Sequence, residues 1–375
     1  MKKKQSQANN LSIVFLDFDD IKNPLLNAGQ ARSTYEVGKR LAEKGHDVTV
    51  ISSRFPGSKD RIEAGIKYRH IGSRSRFIRL NNLIYILLMP LAVRKIRADI
   101  ILECFTAPIS TLFTPLYTKI PVVAKPTSFE AERFARRYLL PFNIIEKLGC
   151  RFYKYFIPAN DYHEKKMRKY APNIISRLIP EGVDNEYFNI EKKSPKHILF
   201  LGRLDIGQKG IDLLLQAYAN VKNNIKWPLV IAGNGPDEEK TKNLINKLGL
   251  NSRVSMIGPA YGEKKNHVIA ETLFVALPSR HEGFCLFALE ALAAGIPLAA
   301  FDIPGISWIN SAAARKATPF NTREYAETLV KLSNNSELLD KMGLAAEELA
   351  EKFTWEKTAQ KYDNFFREII KNEYE

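Results

Sequence analysis

Apolar positions along this chain follow two alternating patterns. Short runs rich in β-branched residues are separated by longer stretches in which apolar residues recur at helical spacing. In the first half, the runs at 13–18, 47–52, 99–103, 121–124 and 155–159 predict strands. In the second half, strands are predicted at 197–202, 229–233, 254–257, 273–278 and 297–301. The intervening segments 30–44, 211–222, 237–247 and 284–294 predict helices, and the tail after Thr322 reads as helical throughout (323–332, 336–352, 355–371). Strands alternating with helices argue for βαβ units and parallel sheets covered on both faces. Two such series predict an α/β protein with two doubly wound domains. The break is expected at 180–184, where IPEGVD carries turn chemistry, or in the polar stretch 191–196. Ligands of doubly wound sheets bind beyond the carboxyl ends of strands, so the loops there should hold the chemistry.

Composition narrows the class. The 375 residues are 45% hydrophobic and 26% charged, the balance of a globular protein rather than a disordered or coiled-coil one. Three scattered cysteines, Cys104, Cys150 and Cys285, suit neither a disulfide framework nor a zinc site, so no metal centre is expected. The Met1–Lys4 start resembles a signal-peptide n-region, but polar residues follow to Asn10, and a short tail ahead of the first strand is the better reading. The expected location is cytoplasmic.

Charge changes the picture further. Residues 1–190 hold 32 Lys and Arg against 18 Asp and Glu, which is nearly all of the net +15. A one-sided excess of this kind suggests an anionic partner such as a membrane surface, a nucleic acid or a phosphorylated acceptor. Arg74, Arg76 and Arg79 precede an apolar segment at 80–93, and Arg94, Lys95 and Arg97 follow it. Its longest apolar stretch, LIYILLMPLAV, has 11 residues, whereas a membrane span needs about 20. Two readings stay open: a helix lying in an anionic lipid interface at the inner face of the membrane, or a core helix with solvated ends. Nucleic acid is not expected as a partner, because the chain has no zinc-finger spacing, RNP-like strand or helix-turn-helix.

Three loops carry candidate chemistry. GRLDIGQKG places Arg203 and Lys209 around a turn just before a helix, an arrangement suited to a diphosphate. AGNGPDE puts Gly233 and Gly235 in a tight turn that would allow close backbone approach to a ligand. PSRHEGFCLFALEALAAG sets Glu282 in a loop and Glu290 eight residues later on the helix it opens. Eight residues is about 2.2 helical turns, so both carboxylates can serve one site. Gly283, Phe284, Cys285 and Leu286 stand at that helix start, where backbone N–H groups are unsatisfied by the helix itself. Carboxylates accept hydroxyl hydrogen bonds well, so the set reads as a nucleotide sugar laid across one domain.

With these motifs, the chain resembles a retaining glycosyltransferase of the GT-B fold, in the large family-4 group. The resemblance runs from GQARSTYEVGKRLAEKGHDVTVIS through IPEGVD, GR…KG and AGNGP to the Glu-x7-Glu signature and the FTW tail. It implies two Rossmann-like domains with parallel sheets facing across a cleft. Residues 1–185 would bind the acceptor, rejoined by the C-terminal helix 356–375, and 186–355 would bind the donor. It also implies that Arg203 and Lys209 hold the diphosphate, that Glu290 bonds the ribose and Glu282 the donor sugar, and that no metal or other cofactor is needed. The activity implied is a hexosyltransferase-type transfer from a nucleotide sugar, expected to be UDP-linked, to a glycan, a lipid-linked saccharide or a small molecule. A non-catalytic nucleotide-sugar binder, or a phosphorylase or epimerase on the same fold, are the alternatives. Four departures stand out. Cys285 replaces the last glycine of the usual EGFG, Glu181 makes NGVD into EGVD, and Gly29 stands alone where many relatives have a glycine pair. An acceptor-domain histidine carried by many relatives is absent from VVAKPTSFEAE, which makes Lys125, Thr127 and Glu130, with Gly29, the acceptor-side candidates.

Overall fold

The structure is a computed structural model and describes residues 10–26, 29–105, 113–127, 129 and 131–374, without the side chains of 137 and 138. It divides into two compact units, residues 1–181 with 355–375, and residues 182–354.

In the first unit, β1 (Ser12–Leu16), β2 (Asp47–Ser53), β3 (Arg61–Glu63), β4 (Ile66–Ile71), β5 (Ile100–Phe105), β6 (Val122–Pro126), β7 (Tyr155–Phe156) and β8 (Ile175–Ser176) form one sheet. Its order is β3-β4-β2-β1-β5-β6-β7-β8, and only β3 runs antiparallel to its neighbour. Every residue of β5, IILECF, is buried, as expected for a central parallel strand covered on both faces. The helices are α1 (Gly29–Glu43), α2 (Ile78–Val93), α3 (Ala131–Tyr138), α4 (Phe142–Cys150) and α5 (Asp161–Tyr170). Tyr85, Met89 and Val93 of α2 join Val14, Leu16 and Ile101 of the sheet in one core.

The second unit carries β9 (His197–Leu201), β10 (Leu229–Ala232), β11 (Val254–Gly258), β12 (Thr272–Leu277), β13 (Leu298–Phe301) and β14 (Ala314–Ala317). They form a parallel sheet in the order β11-β10-β9-β12-β13-β14. Helices α6 (Ile206–Lys209), α7 (Ile211–Val221), α8 (Glu238–Lys247), α9 (Gly262–Ala270), α10 (Leu286–Ala293), α11 (Thr322–Ser333) and α12 (Ser336–Ala350) accompany it. The last helix, α13 (Trp355–Tyr374), returns to the first unit. There Arg40 of α1 bonds Glu356 at 2.7 Å, and Thr358 bonds the Pro180 carbonyl.

All ten predicted strands exist, though the run at 155–159 shortens to the two residues of β7. The sequence reading missed β3, β4, β8 and β14. Strand order reverses between β9 and β12 in the second sheet, and between β1 and β5 in the first. Such reversals open a crevice at the carboxyl ends of the two diverging strands.

Candidate donor site and its counterpart in the first unit

The chain after β9 turns through a four-residue helix, α6, capped by Asp205, whose side chain accepts from the Gln208 N–H. Gly210 then takes φ 63°, and a Cβ there would lie 2.0 Å from the Pro278 carbonyl oxygen. Only glycine permits that contact, and it seats the β9 loop on the β12 loop. Arg280 strengthens the join with two bonds to Asp212, at 2.7 and 2.8 Å, and one to the Ile206 carbonyl.

Between these loops, Lys209 Nζ lies 2.7 Å from Glu282 Oε1, which also accepts from Ser279 Oγ at 2.6 Å. Burial alone would pull the Lys209 ammonium down, but the Glu282 charge overrides it and raises the pKa above its ordinary value. The cation of the GRLDIGQKG loop and the first carboxylate of the Glu-x7-Glu signature are therefore one ion pair. A Cβ on Gly305 would fall 1.8 Å from the Glu282 carbonyl oxygen, so this glycine lets the neighbouring loop hold Glu282 from behind.

Glu290 has its own cation. Lys265 of α9 bonds it at 2.5 Å and bonds the Tyr187 hydroxyl at 2.9 Å, with the ammonium 5.0 Å from the Tyr187 ring centroid. Burial, and then the Glu290 charge, push the Tyr187 phenol well above its usual pKa. The sequence reading missed Lys265, Tyr187 and Ser279. Nothing in a one-dimensional motif marks Lys265 and Tyr187, which come from a helix and a connecting segment that only the fold brings to Glu290; Ser279 lies three residues before Glu282 in the same loop.

The other predicted residues are placed differently. Arg203 is more than half exposed, bonds Gln208 at 2.7 Å and lies 3.9 Å from Asp205, and its charge is felt at Lys209. Gly233 and Gly235 need no ligand to explain them. Their Cβ atoms would lie 1.9 Å from the Gly202 oxygen and 2.6 Å from the Leu204 oxygen, so both glycines serve the packing of the β10 loop on the β9 loop. Phe284, next after Gly283, stacks on Trp308 at 4.5 Å and 7°, and its carbonyl accepts the indole N–H. Its ring belongs to the packing. Cys285 caps α10 with φ 71°, a left-handed conformation that explains why glycine suits this position. Burial and the Glu282 charge push its thiol up to about 12. Leu286 is the first residue of α10.

The first unit has a cluster at its own reversal point. Asp17, just past β1, is buried and accepts from Gln30 and Thr34 of α1. Burial pushes its carboxyl above the usual range, against those hydrogen bonds. Lys125 of β6 is buried, bonds Ser33 at 2.5 Å and pairs with Glu181 at 3.0 Å, while Ser33 also bonds Glu181. Burial would lower the Lys125 pKa, but Glu181 more than reverses this. Glu181 is thus a structural partner of Lys125, and its place in EGVD is no minor variation. Gly29 opens α1 on the surface, Thr127 follows β6 half-buried, and Glu130 lies outside the described residues.

Two units with mostly parallel sheets, each with charged residues at its strand reversal, are the architecture of the GT-B fold. Residues 184–349 match the family Glycosyl transferases group 1, and residues 27–187 match Glycosyltransferase Family 4. The chain belongs to this family-4 group of glycosyltransferases. It is similar to an uncharacterized glycosyltransferase of Haemophilus influenzae, 31% identical over 51% of this chain and 54% of the relative. The fold matches sucrose-phosphate synthase from Thermosynechococcus elongatus (TM-score 0.81, 17% identity, 96% and 99% of the two chains). It also matches Anabaena HepE solved with UDP and glucose (TM-score 0.72, 17% identity, 95% and 99%). The chain spans about half the length of the curated relatives it matches, or less.

Proposed function

We propose that the protein transfers a sugar from a nucleoside-diphosphate sugar, UDP-linked, to an acceptor hydroxyl with retention of anomeric configuration. One observation carries this reading: two carboxylates, each already held by a lysine, stand on the loop and helix after β12, where strand order reverses beside β9. An arriving diphosphate competes with Glu282 for Lys209. The exchange frees the Glu282 carboxylate to accept sugar hydroxyls, while Glu290 accepts the ribose hydroxyls. As the glycosidic bond breaks, negative charge grows on the diphosphate. Lys209, Arg203 and the backbone from Gly283 to Leu286 at the start of α10 are set to stabilise it, and preorganised donors of this kind are worth most in the transition state. The acceptor attacks from the face the phosphate leaves, and the departing phosphate takes its proton. The cations of the loops do the work of charge neutralisation, so turnover should persist in excess EDTA; loss of activity restored by Mg²⁺ would contradict this.

The acceptor is a glycan, a lipid-linked saccharide or a small molecule; Gly29, Thr127 and Glu130 are assigned to it, while the buried Lys125 holds Ser33 and Glu181 in place rather than exchanging them for the acceptor. The protein works in the cytoplasm, attached peripherally to the inner face of the membrane. A panel of nucleotide sugars, read by UDP or GDP release with and without membrane lipid extracts, tests the reading. NMR of the anomeric centre in the product tests retention. Tight UDP binding with no release from any donor would favour a non-catalytic binder.

A further inference from the structure

The candidate for membrane contact in the sequence is the single segment around α2. The structure shows more. Helix α2 buries Asn81, Tyr85, Met89 and Val93 and turns the opposite side outward, with Leu80, Leu83, Leu87, Leu88 and Leu91 all exposed. Leu87 keeps 65% of its surface accessible, and Phe77 just before the helix keeps 76%. One side of the helix therefore belongs to the core, and the other leaves an apolar stripe exposed. A second apolar stripe lies on α4 and its continuation, where Ile144, Leu148 and Phe152 recur four residues apart and are exposed, with Leu139 and Leu140 just before them.

The two stripes share one side of the sheet. Tyr85, Met89 and Val93 from α2, Cys150 at the end of α4 and Tyr153 three residues past it enter the same buried core. Their outer faces therefore point away from the same face of the sheet. Cations rim both. No acidic residue occurs between 72 and 98, while Arg74, Arg76, Arg94, Lys95 and Arg97 are exposed there. Around α4, Lys147 and Arg151 are exposed, and the only acid between 139 and 152, Glu146, is buried against Lys166 at 3.1 Å.

We infer that α2 and α4 together form one docking face for an anionic lipid bilayer, with the leucines and Phe152 at the acyl boundary and the arginines and lysines at the headgroups. This rests on the peripheral attachment proposed above and adds α4 to it. Helix α2 is 16 residues, about 24 Å long, so it lies along the interface, and no helix among the described residues is long and apolar enough to cross a membrane. Apolar residues ringed by one sign of charge complement a surface that is oily beneath and negative above. A second copy of this chain suits the face poorly, because a two-fold contact would bring the same cation rims together.

Sedimentation of the full chain with phosphatidylglycerol vesicles tests the inference. The protein should pellet at low salt, be released at high salt, and ignore phosphatidylcholine vesicles. Leu83→Ser with Leu87→Ser, and separately Ile144→Ser with Leu148→Ser, should each weaken partitioning by about tenfold or more, since each removes two side chains from the acyl boundary. Arg94→Glu with Lys95→Glu should do so without touching any apolar residue. No pelleting of the wild type at low salt would overturn the inference, and so would serine variants that bind like the wild type. An unaffected α4 variant beside a weakened α2 variant would overturn the role of α4. A dimer that the serine variants convert to monomer, with vesicles ignored, would assign the face to a second copy instead. Nucleotide affinity should stay constant in every variant. Vesicle binding without transfer to any acceptor would leave this inference standing and remove the transferase reading.

Discussion

The two strand reversals, one in each unit, both gather charge at the carboxyl ends of parallel strands, but they gather it differently. In the second unit each pair is reached through a partly open lysine: the Lys265 and Glu290 side chains keep 14% and 19% of their surface, and Lys209 keeps 18% beside a Glu282 that keeps 5%. In the first unit the Asp17 and Lys125 side chains are sealed, and every carboxylate oxygen described there meets a hydroxyl, an amide or an ammonium of the protein. Removing charges from water costs several kcal/mol per ion, which good hydrogen bonding only offsets. A sealed, saturated network therefore keeps its partners. A half-open pair can exchange one of them for a ligand. The difference assigns exchangeable chemistry to the second unit and a fixed polar floor to the first.

The largest test of that contrast is Lys209→Ala. On the proposed mechanism it removes a transition-state cation and takes from Glu282 its ammonium partner, so turnover should fall by roughly 100-fold, on the order of 3 kcal/mol. Arg203→Ala, at an exposed residue that bonds Gln208 and lies 3.9 Å from Asp205, should cost less. Steady-state kinetics of both would decide; equal losses would put Arg203 on the same footing as Lys209.

The first unit should answer to pH instead. Burial works against the Asp20 carboxylate, but His70 at 2.9 Å and two bonds from Arg61 hold it well below its usual range. An acid whose folded pKa is depressed contributes stability that is complete above the unfolded value, near pH 4, and is lost as pH falls through the folded one. Asp20→Asn should thus cost about 2 kcal/mol at pH 7, and the gap to the wild type should narrow by pH 3. Thermal unfolding at the two pH values checks it, and a gap that widened in acid would break the assignment.

Cys285→Gly is the smallest effect. A non-glycine residue in the left-handed region costs roughly 1–2 kcal/mol, of which glycine gives back part through the entropy of its unfolded chain. A gain of up to about 1 kcal/mol in unfolding free energy is expected, with donor affinity unchanged. A loss of stability would mean that the thiol's packing outweighs the backbone strain.

How much of this was legible in the sequence follows from the same physics. Buried parallel strands read as continuous apolar runs, so β1, β5, β9 and β12 were visible, and with them the loops that carry the second unit's charges. Strands β3 and β4 were not. Their hairpin turns at Ala64–Gly65, both at positive φ, without an Asn-Gly or Asp-Gly signal, and β4 alternates polar with apolar one strand in from the β3 edge. Strand β14 is ARKA, too polar and short to stand out. Glu282, Glu290, Arg203 and Lys209 lie in compact motifs, but their pairing does not. Lys265 meets Glu290 from 25 residues away, and Glu181 meets Ser33 from 148 away, distances at which only folding decides partners. Gly233 and Gly235 show the converse: a ligand-like motif whose glycines are explained by the approach of two loops.

Calorimetric titration of UDP into the wild type and Glu290→Ala, in the presence of EDTA, tests most directly whether the second unit's open pairs hold the donor. The Glu290 carboxylate should accept ribose hydroxyls in bonds worth about 1.5–3 kcal/mol each, so the variant should bind at least tenfold more weakly while the wild type binds without metal. Equal affinity of the two proteins, or binding by the wild type only after Mg²⁺ is restored, would contradict the account.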